Sequence, residues 1–222
     1  MDETKLAELA GVILGDGSIY VNKPLGIYLL RITLGMDEMP YAVFVQQLVE
    51  ELFGVRPKIR FYYRDGKPKE IIVGVYSKKL LSELFALGLG CGDKSGWAGI
   101  PEWVWNNDAN LSACVRGLVD TDGCVYEKHS YPGIPQIHFS SATPRLLFDF
   151  QRALVKLGFK SSKCFSSNNT PRCGIYGKHE ARKYCVGVGF SNPKNKARFS
   201  AIESNLVKDY KSQLTKLIHV PW

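Results

Sequence analysis

Two aspartates carry the strongest chemical signal in this 222-residue chain. Asp16 stands in Gly15-Asp16-Gly17-Ser18-Ile19-Tyr20, and Asp122, 106 residues further on, stands in Thr121-Asp122-Gly123-Cys124-Val125-Tyr126. Each copy closes an apolar helical segment, Leu9–Leu14 in one case and Val115–Asp120 in the other. Gly11 and Gly15 lie four residues apart, as do Gly117 and Thr121. Small residues at that spacing form a flat helical stripe along which two backbones can approach closely. If the two segments pack on these stripes, Asp16 and Asp122 emerge side by side at the C-terminal ends of the helix pair. The helix dipole is negative there, and two neighbouring carboxylates also repel each other. A divalent cation relieves both problems, and hard oxygen ligands suit Mg²⁺, with Mn²⁺ as a substitute. Paired metals at such a position can activate water and stabilise a leaving oxygen in phosphodiester hydrolysis. A single Asp-Gly also makes an ordinary turn; it is the matched second copy that favours the metal reading.

The elements that must position these residues repeat with them. The spacing predicts helix at about Thr4–Leu14, strands at about Ser18–Val21 and Ile27–Leu34, and an amphipathic helix through Tyr41, Phe44, Val45, Leu48, Val49, Leu52 and Phe53. A hairpin follows from Lys58–Tyr63 and Glu70–Tyr76 around Asp65-Gly66, and a helix through Leu80, Leu81, Leu84 and Phe85. The second half is expected to repeat this as a helix (111–120), strands (124–130, 135–141), a helix (144–157) and strands (160–166, 182–190). In that alignment Val73–Ser77 answers Val186–Ser191, and a last helix carries Phe199, Ile202, Leu206, Tyr210, Leu214 and Leu217. The fold class is therefore α+β: two αββαββα units, residues 1–100 and 111–222, joined by a connector at 101–110.

Helices on one face of each sheet leave the other face open. Alternation turns Leu30, Ile32 and Leu34 inward, with Leu29, Arg31 and Thr33 outward; it turns Ile59, Phe61 and Tyr63 inward, with Lys58, Arg60, Tyr62 and Arg64 outward. In the second unit Ile137 and Phe139 face in, while Gln136, His138 and Ser140 face out. With Ser18, Tyr20 and Asn22 on one first strand and Tyr126 and Lys128 on the other, these outward residues can bind phosphates and read base edges.

Composition agrees with a basic, well-cored protein. Lys and Arg number 29 against 21 Asp and Glu, a net charge of +8, with 45% hydrophobic residues. Residues 1–110 hold 12 basic and 14 acidic side chains, net −2; residues 111–222 hold 17 and 7, net +10. The six cysteines show no Cys-x-x-Cys spacing and the four histidines form no ligand pattern, which argues against zinc and for reduced thiols. No apolar run is long enough to span a bilayer and no secretory signal opens the chain, so the expected location is intracellular, cytoplasmic or organellar, without a membrane partner.

Leu9-Ala10-Gly11-Val12-Ile13-Leu14-Gly15-Asp16-Gly17 resembles the nine-residue signature of the LAGLIDADG homing endonucleases, and Val115–Gly123 resembles the second copy found in their single-chain members. The resemblance covers nearly the whole chain. It implies two halves related by a pseudo-two-fold axis, with signature helices at the interface (Gly11, Gly15, Gly117 and Thr121) and two sheets forming a saddle on double-stranded DNA. It also implies a monomer and Mg²⁺-dependent cleavage of both strands at a long, imperfectly palindromic site, leaving 3′ overhangs. Asp16 and Asp122 take the metal-binding position, and Gly15 and Thr121 would offer backbone carbonyls. Lys94 in the first half, and Lys194 or Lys196 in the second, match the lysines held near the scissile phosphates. The sequence departs from the pattern at Gly35 and Ser140, where many members place Gln, and at Leu14, where the signature has its first acidic residue and the second copy keeps Asp120. A nucleic-acid binder without catalysis, such as an intron maturase or regulator, is the alternative on the same fold. An intein is disfavoured by the ends Met1-Asp2 and His219-Val220-Pro221-Trp222, and an intron-encoded enzyme is expected.

Overall fold

The computed structural model describes residues 2–128, 130–167 and 170–204. Helix α1 (Glu3–Leu14) begins where the Asp2 carboxylate accepts hydrogen bonds from the Thr4 and Lys5 amides. Strands β1 (Gly17–Asn22) and β2 (Ile27–Gly35) follow, then α2 (Met39–Phe53), β3 (Lys58–Arg64), β4 (Lys67–Tyr76) and α3 (Lys78–Ala86). A short 3₁₀ turn at Glu102–Asn106 leads into α4 (Asp108–Asp122), capped by Asn107. The order then repeats as β5 (Gly123–Lys128), β6 (Tyr131–Ser140), α5 (Pro144–Lys156), β7 (Phe165–Ser167), β8 (Thr170–Ile175) and α6 (Lys178–Gly187). A further helix, α7, occupies residues 193–204. The two sheets share one antiparallel order, β1-β2-β4-β3 and β5-β6-β8-β7. Two αββαββα halves are thus present. Leu206, Tyr210, Leu214 and Leu217 lie outside the described residues, as does His219.

The apolar alternation does its expected work in the central strands. Leu30, Ile32, Leu34, Ile71 and Val73 are buried under the helices of the first half, and Val125, Ile137, Phe139, Cys173 and Ile175 under those of the second. The Asp65-Gly66 turn has both residues at positive φ, as an Asp-Gly hairpin requires. On β3 the alternation fades: Phe61 and Tyr63 are exposed although the spacing turned them inward. Strand β3 is the edge of its sheet, and its register with β4 shifts between Tyr62 and Tyr63, so the end of this hairpin runs past the helices that cover the rest.

The last third of the second half differs from the sequence expectation. Residues 182–190 are not a strand: they hold the end of α6 and the turn after it, with Val186 90% exposed. The counterpart of β4 is β8, and the match of Val73–Ser77 to Val186–Ser191 is therefore wrong. The alternating Val186-Gly187-Val188-Gly189-Phe190 imitates strand periodicity, while Pro171 and Gly174 disguise β8 as a loop. Strand β7 is short and begins at Phe165, later than the 160–166 expected.

Candidate functional site at the paired helix ends

Helices α1 and α4 meet along the glycine stripe. A Cβ on Gly117 would lie 2.8 Å from the Val12 amide nitrogen and closer still to the Glu8 carbonyl oxygen; one on Gly11 would overlap the Cys114 carbonyl. One on Gly15 would lie 2.8 Å from the Thr121 Cβ. Only residues without or with a small side chain permit this approach, and Gly11, Gly15, Gly117 and Thr121 all lie at the crossing. Polar contacts fix the pairing. Arg116 of α4 donates to Glu8 of α1 at 2.7 Å and to the Val188 carbonyl at 2.9 Å, and Asn110 donates to Glu3 at 3.2 Å.

This packing delivers Asp16 and Asp122 to one electrostatic environment. Burial, the Asp122 carboxylate and Glu38 raise the Asp16 pKa to about 7, opposed by Lys94 and Lys194. Burial likewise raises Asp122, with Lys94 opposing. Asp16 is tied to the sheet through its carbonyl, which accepts from the Thr33 amide at 3.2 Å. Among the described residues there is no cluster of three or more His, Cys, Asp or Glu side chains suited to a metal. The donor set is two carboxylates, Asp16 half-buried and Asp122 exposed, with backbone oxygens nearby, and its hard, anionic chemistry fits a divalent cation with retained waters.

The lysines divide in three ways. The Lys94 ammonium donates to the Leu14 carbonyl at 2.8 Å and to the Gly15 carbonyl, so it spans the end of α1. Burial lowers its pKa, while Asp122 and Asp16 hold it up. The Gly15 carbonyl assigned to a metal is thus engaged by Lys94 in this structure. Lys194 pairs with Asp37 at 3.1 Å and approaches Glu38 at 3.7 Å, beside Asp16. Lys196 is exposed and its charge acts on Cys185, so Lys194 and not Lys196 is brought to the site. Thr121 directs its hydroxyl back to the Gly117 carbonyl at 2.8 Å.

The sequence did not single out Glu38, and it showed Asp120 only as a signature residue without its structural role. Glu38 follows the strand end where the expected Gln is replaced by Gly35; it accepts from the Gly35 amide and from Asn192 Nδ2, both at 2.8 Å. An acidic residue three positions past that strand end was the available signal. Asp120 is 1% exposed and accepts from the Ser191 and Asn192 amides at 2.6 and 3.0 Å and from Asn195 Nδ2 at 3.2 Å. Burial lifts its pKa to about 7 against these hydrogen bonds. The signature acid therefore anchors the segment that opens α7 and carries Lys194. Leu14 has no such task, because Lys94 is fixed by helix-end carbonyls.

The outer sheet faces hold the remaining candidates. Ser18, Arg31, Gly74 and Lys58 form one cross-strand row; Tyr20 pairs with Leu29 and Leu29 with Tyr76, and Thr33 and Arg60 pair with Ile72. Asn22 instead serves the β1–β2 turn, accepting from the Leu25 amide at 3.2 Å. Tyr62 and Arg64 are exposed on the edge hairpin. In the second sheet Tyr126 packs edge-on against His138, with centroids 5.1 Å apart, and Ser140 pairs with Arg172. Burial and Arg172 lower the His138 pKa to about 4, so its imidazole is neutral near pH 7. Gln136 departs from expectation: it shares the outer face but is only 5% exposed. Lys128 is exposed at the strand end.

Comparison with known proteins accords with this architecture. Residues 109–189 match the family model described as the LAGLIDADG-like domain. The fold resembles that of variants of the homing endonuclease I-DmoI, at 21% identity and a TM-score of 0.59 over 84% of this chain and 96% of that one. It also resembles the homing endonuclease I-WcaI bound to its DNA recognition sequence, at 15% identity and a TM-score of 0.65 over 90% and 87%. Other I-DmoI structures hold DNA with Mn or Ca. In sequence, the chain is 27% identical over 197 residues to a DNA polymerase of Thermococcus sp. (strain GE8) and 24% identical over 165 residues to one of Thermococcus hydrothermalis. It spans about a tenth of the length of each. The chain has the LAGLIDADG homing-endonuclease fold, with both signature helices in place.

Proposed function

We propose that this protein is a site-specific DNA endonuclease that acts as a monomer and breaks both strands of a long, imperfectly palindromic duplex, leaving 3′ overhangs. The observation that carries the reading is the pair Asp16 and Asp122, brought into one electrostatic environment at the C-terminal ends of α1 and α4, the two helices that pack along glycines. Asp16 and Asp122, with the Thr121 carbonyl, would hold the divalent cation, Mg²⁺ or Mn²⁺. When bound, that ion supplies charge for an attacking water and a leaving oxygen. The chain's own groups do the rest. Lys94, whose charge acts on both aspartates, and Lys194, whose charge acts on Asp16, bring two ammonium groups that can neutralise phosphate charge. Asp120 and Asn192 hold the Lys194 segment in place. The outer sheet faces bind the duplex through backbone contacts and base edges.

The occurrence of matching stretches within far longer DNA polymerases fits a mobile module; that this copy is intron-encoded and acts inside the cell belongs to the same proposal. One observation favours a second reading, a nucleic-acid binder without cleavage: Lys94 occupies the Gly15 carbonyl. A single experiment decides between them. The protein is incubated with a randomised duplex library in Mg²⁺, and bound and cut ends are sequenced. Discrete cut ends with 3′ overhangs are expected. Enrichment of bound duplexes with no cut ends would establish the binder instead.

A further inference from the structure

Each sheet has a glycine at the same place in its outer face: Gly74 on β4 opposite Arg31, and Gly174 on β8 opposite His138. The two behave differently. A Cβ on Gly174 would lie 2.6 Å from the His138 Cα and 2.9 Å from its Cβ, so that glycine is demanded by packing. A Cβ on Gly74 would meet nothing closer than 3.8 Å, with Ile72 Cγ2 at 3.8 Å and Leu29 Cδ1 at 3.9 Å. The first sheet therefore has a methyl-sized dent at Gly74, set in the floor of a groove of about 540 Å³ that also takes in Val55, Arg56, Val75 and Tyr76, where the second sheet is filled at Gly174. Its walls at Gly74 are apolar, Leu29 and Ile72, and its rim is cationic, with Arg31, Lys58 and Arg60. No acidic side chain lines it among the described residues. Ser18 steadies Arg31 by accepting from its Nε at 3.3 Å. A glycine within a strand often marks a close approach by a ligand.

We infer that this dent is a thymine-reading subsite, receiving the C5-methyl group of one thymine while Arg31, Lys58 and Arg60 engage the flanking phosphates and base edges. The inference rests on the DNA reading above and assigns it a base. The C5-methyl is the one apolar feature that a duplex presents in its major groove, and it is absent from the other bases. A small apolar hollow ringed by cations matches a methyl group set in a polyanion; a lipid or apolar peptide would need a larger uncharged surface. Because Gly174 is roofed, the preference belongs to the half-site under the first sheet.

The test uses the full chain and the duplexes selected from a randomised library in EDTA. One thymine position in one half-site is expected to dominate. Replacing that thymine with deoxyuridine, which removes only the methyl, should weaken binding about fourfold, the ratio for burying one methyl. Gly74→Val should fill the dent and abolish discrimination between thymine and deoxyuridine, leaving preferences in the other half-site unchanged. The Gly74 Cβ contacts are ordinary, and Gly74→Ala provides a smaller filling should the valine variant melt early. Equal binding of thymine and deoxyuridine duplexes at every position, or an unaltered preference in a folded Gly74 variant, overturns the inference while leaving DNA binding intact. Failure to enrich any duplex overturns the DNA reading and this inference together.

Discussion

Asp16 keeps its proton up to about pH 7 because burial, Asp122 and Glu38 all disfavour its charge. The sign of the linkage follows. An unfolded aspartate ionises near pH 4, so between about pH 4 and pH 7 the native state binds more protons, and stability falls as pH rises through that window. The penalty is complete above about pH 7 and is on the order of 4 kcal/mol for a shift of this size. Urea denaturation in EDTA should therefore show wild-type protein losing stability from about pH 4 to about pH 7, and Asp16→Asn should reduce that slope, with the remainder due to Asp120. A slope unchanged in Asp16→Asn would remove Asp16 as its source. In a cleavage assay Asp16→Asn and Asp122→Asn should each abolish linearisation of a plasmid carrying the selected site in Mg²⁺ while retaining duplex binding. Asparagine is neutral and a poorer ligand for a hard cation. A folded Asp122→Asn protein that linearises plasmid at the wild-type rate would refute the metal assignment.

Helices α1 and α4 are held by backbone contact, so a side chain at the crossing must push them apart. Gly11→Leu and Gly117→Leu should each lose about 1–3 kcal/mol or more, read as a lowered melting temperature; unchanged melts would place the crossing elsewhere. The segment before α7 depends on a different device. Asp120→Leu, which copies Leu14, would strand two amides and the Asn195 side chain at about 1–3 kcal/mol each. It should also free Lys194 from its station, so that nicked plasmid accumulates before linear product. Equal loss of nicking and linearisation would show a general folding defect instead. These elements were legible in the sequence to unequal degrees. The signature helices, the first four strands and the Asp pair could be read because apolar periodicity and glycine spacing are local signals. Strand β8 could not, because Pro171 and Gly174 break its pattern and only its pairing with β6 and β7 makes it a strand. Glu38 and Asp120 were hidden for another reason: their importance arises from Asn192, Asn195 and Lys194, which are distant in sequence and adjacent only after folding.

Across the whole molecule the charge is lopsided, −2 in residues 1–110 and +10 in residues 111–222. Footprinting at rising salt should show the second half-site protected longer, since long-range phosphate attraction follows net charge. Longer protection of the first half-site would mean that the cations at the Gly74 dent outweigh the half totals. The halves also differ at their seam, where the buried Glu8 carboxylate pairs with the half-buried Arg116. Under the internal repeat the mates of these residues are Cys114 and Ala10, both buried and without charge. A tandem of two first halves would set each Glu8 against an alanine, and a tandem of two second halves would set each Arg116 against a cysteine. Either would leave charges buried and unpaired, a cost of several kcal/mol. The two repeats have thus become lock and key to one another: neither can any longer replace its sibling, and the symmetry that the backbone still displays is no longer available to the side chains.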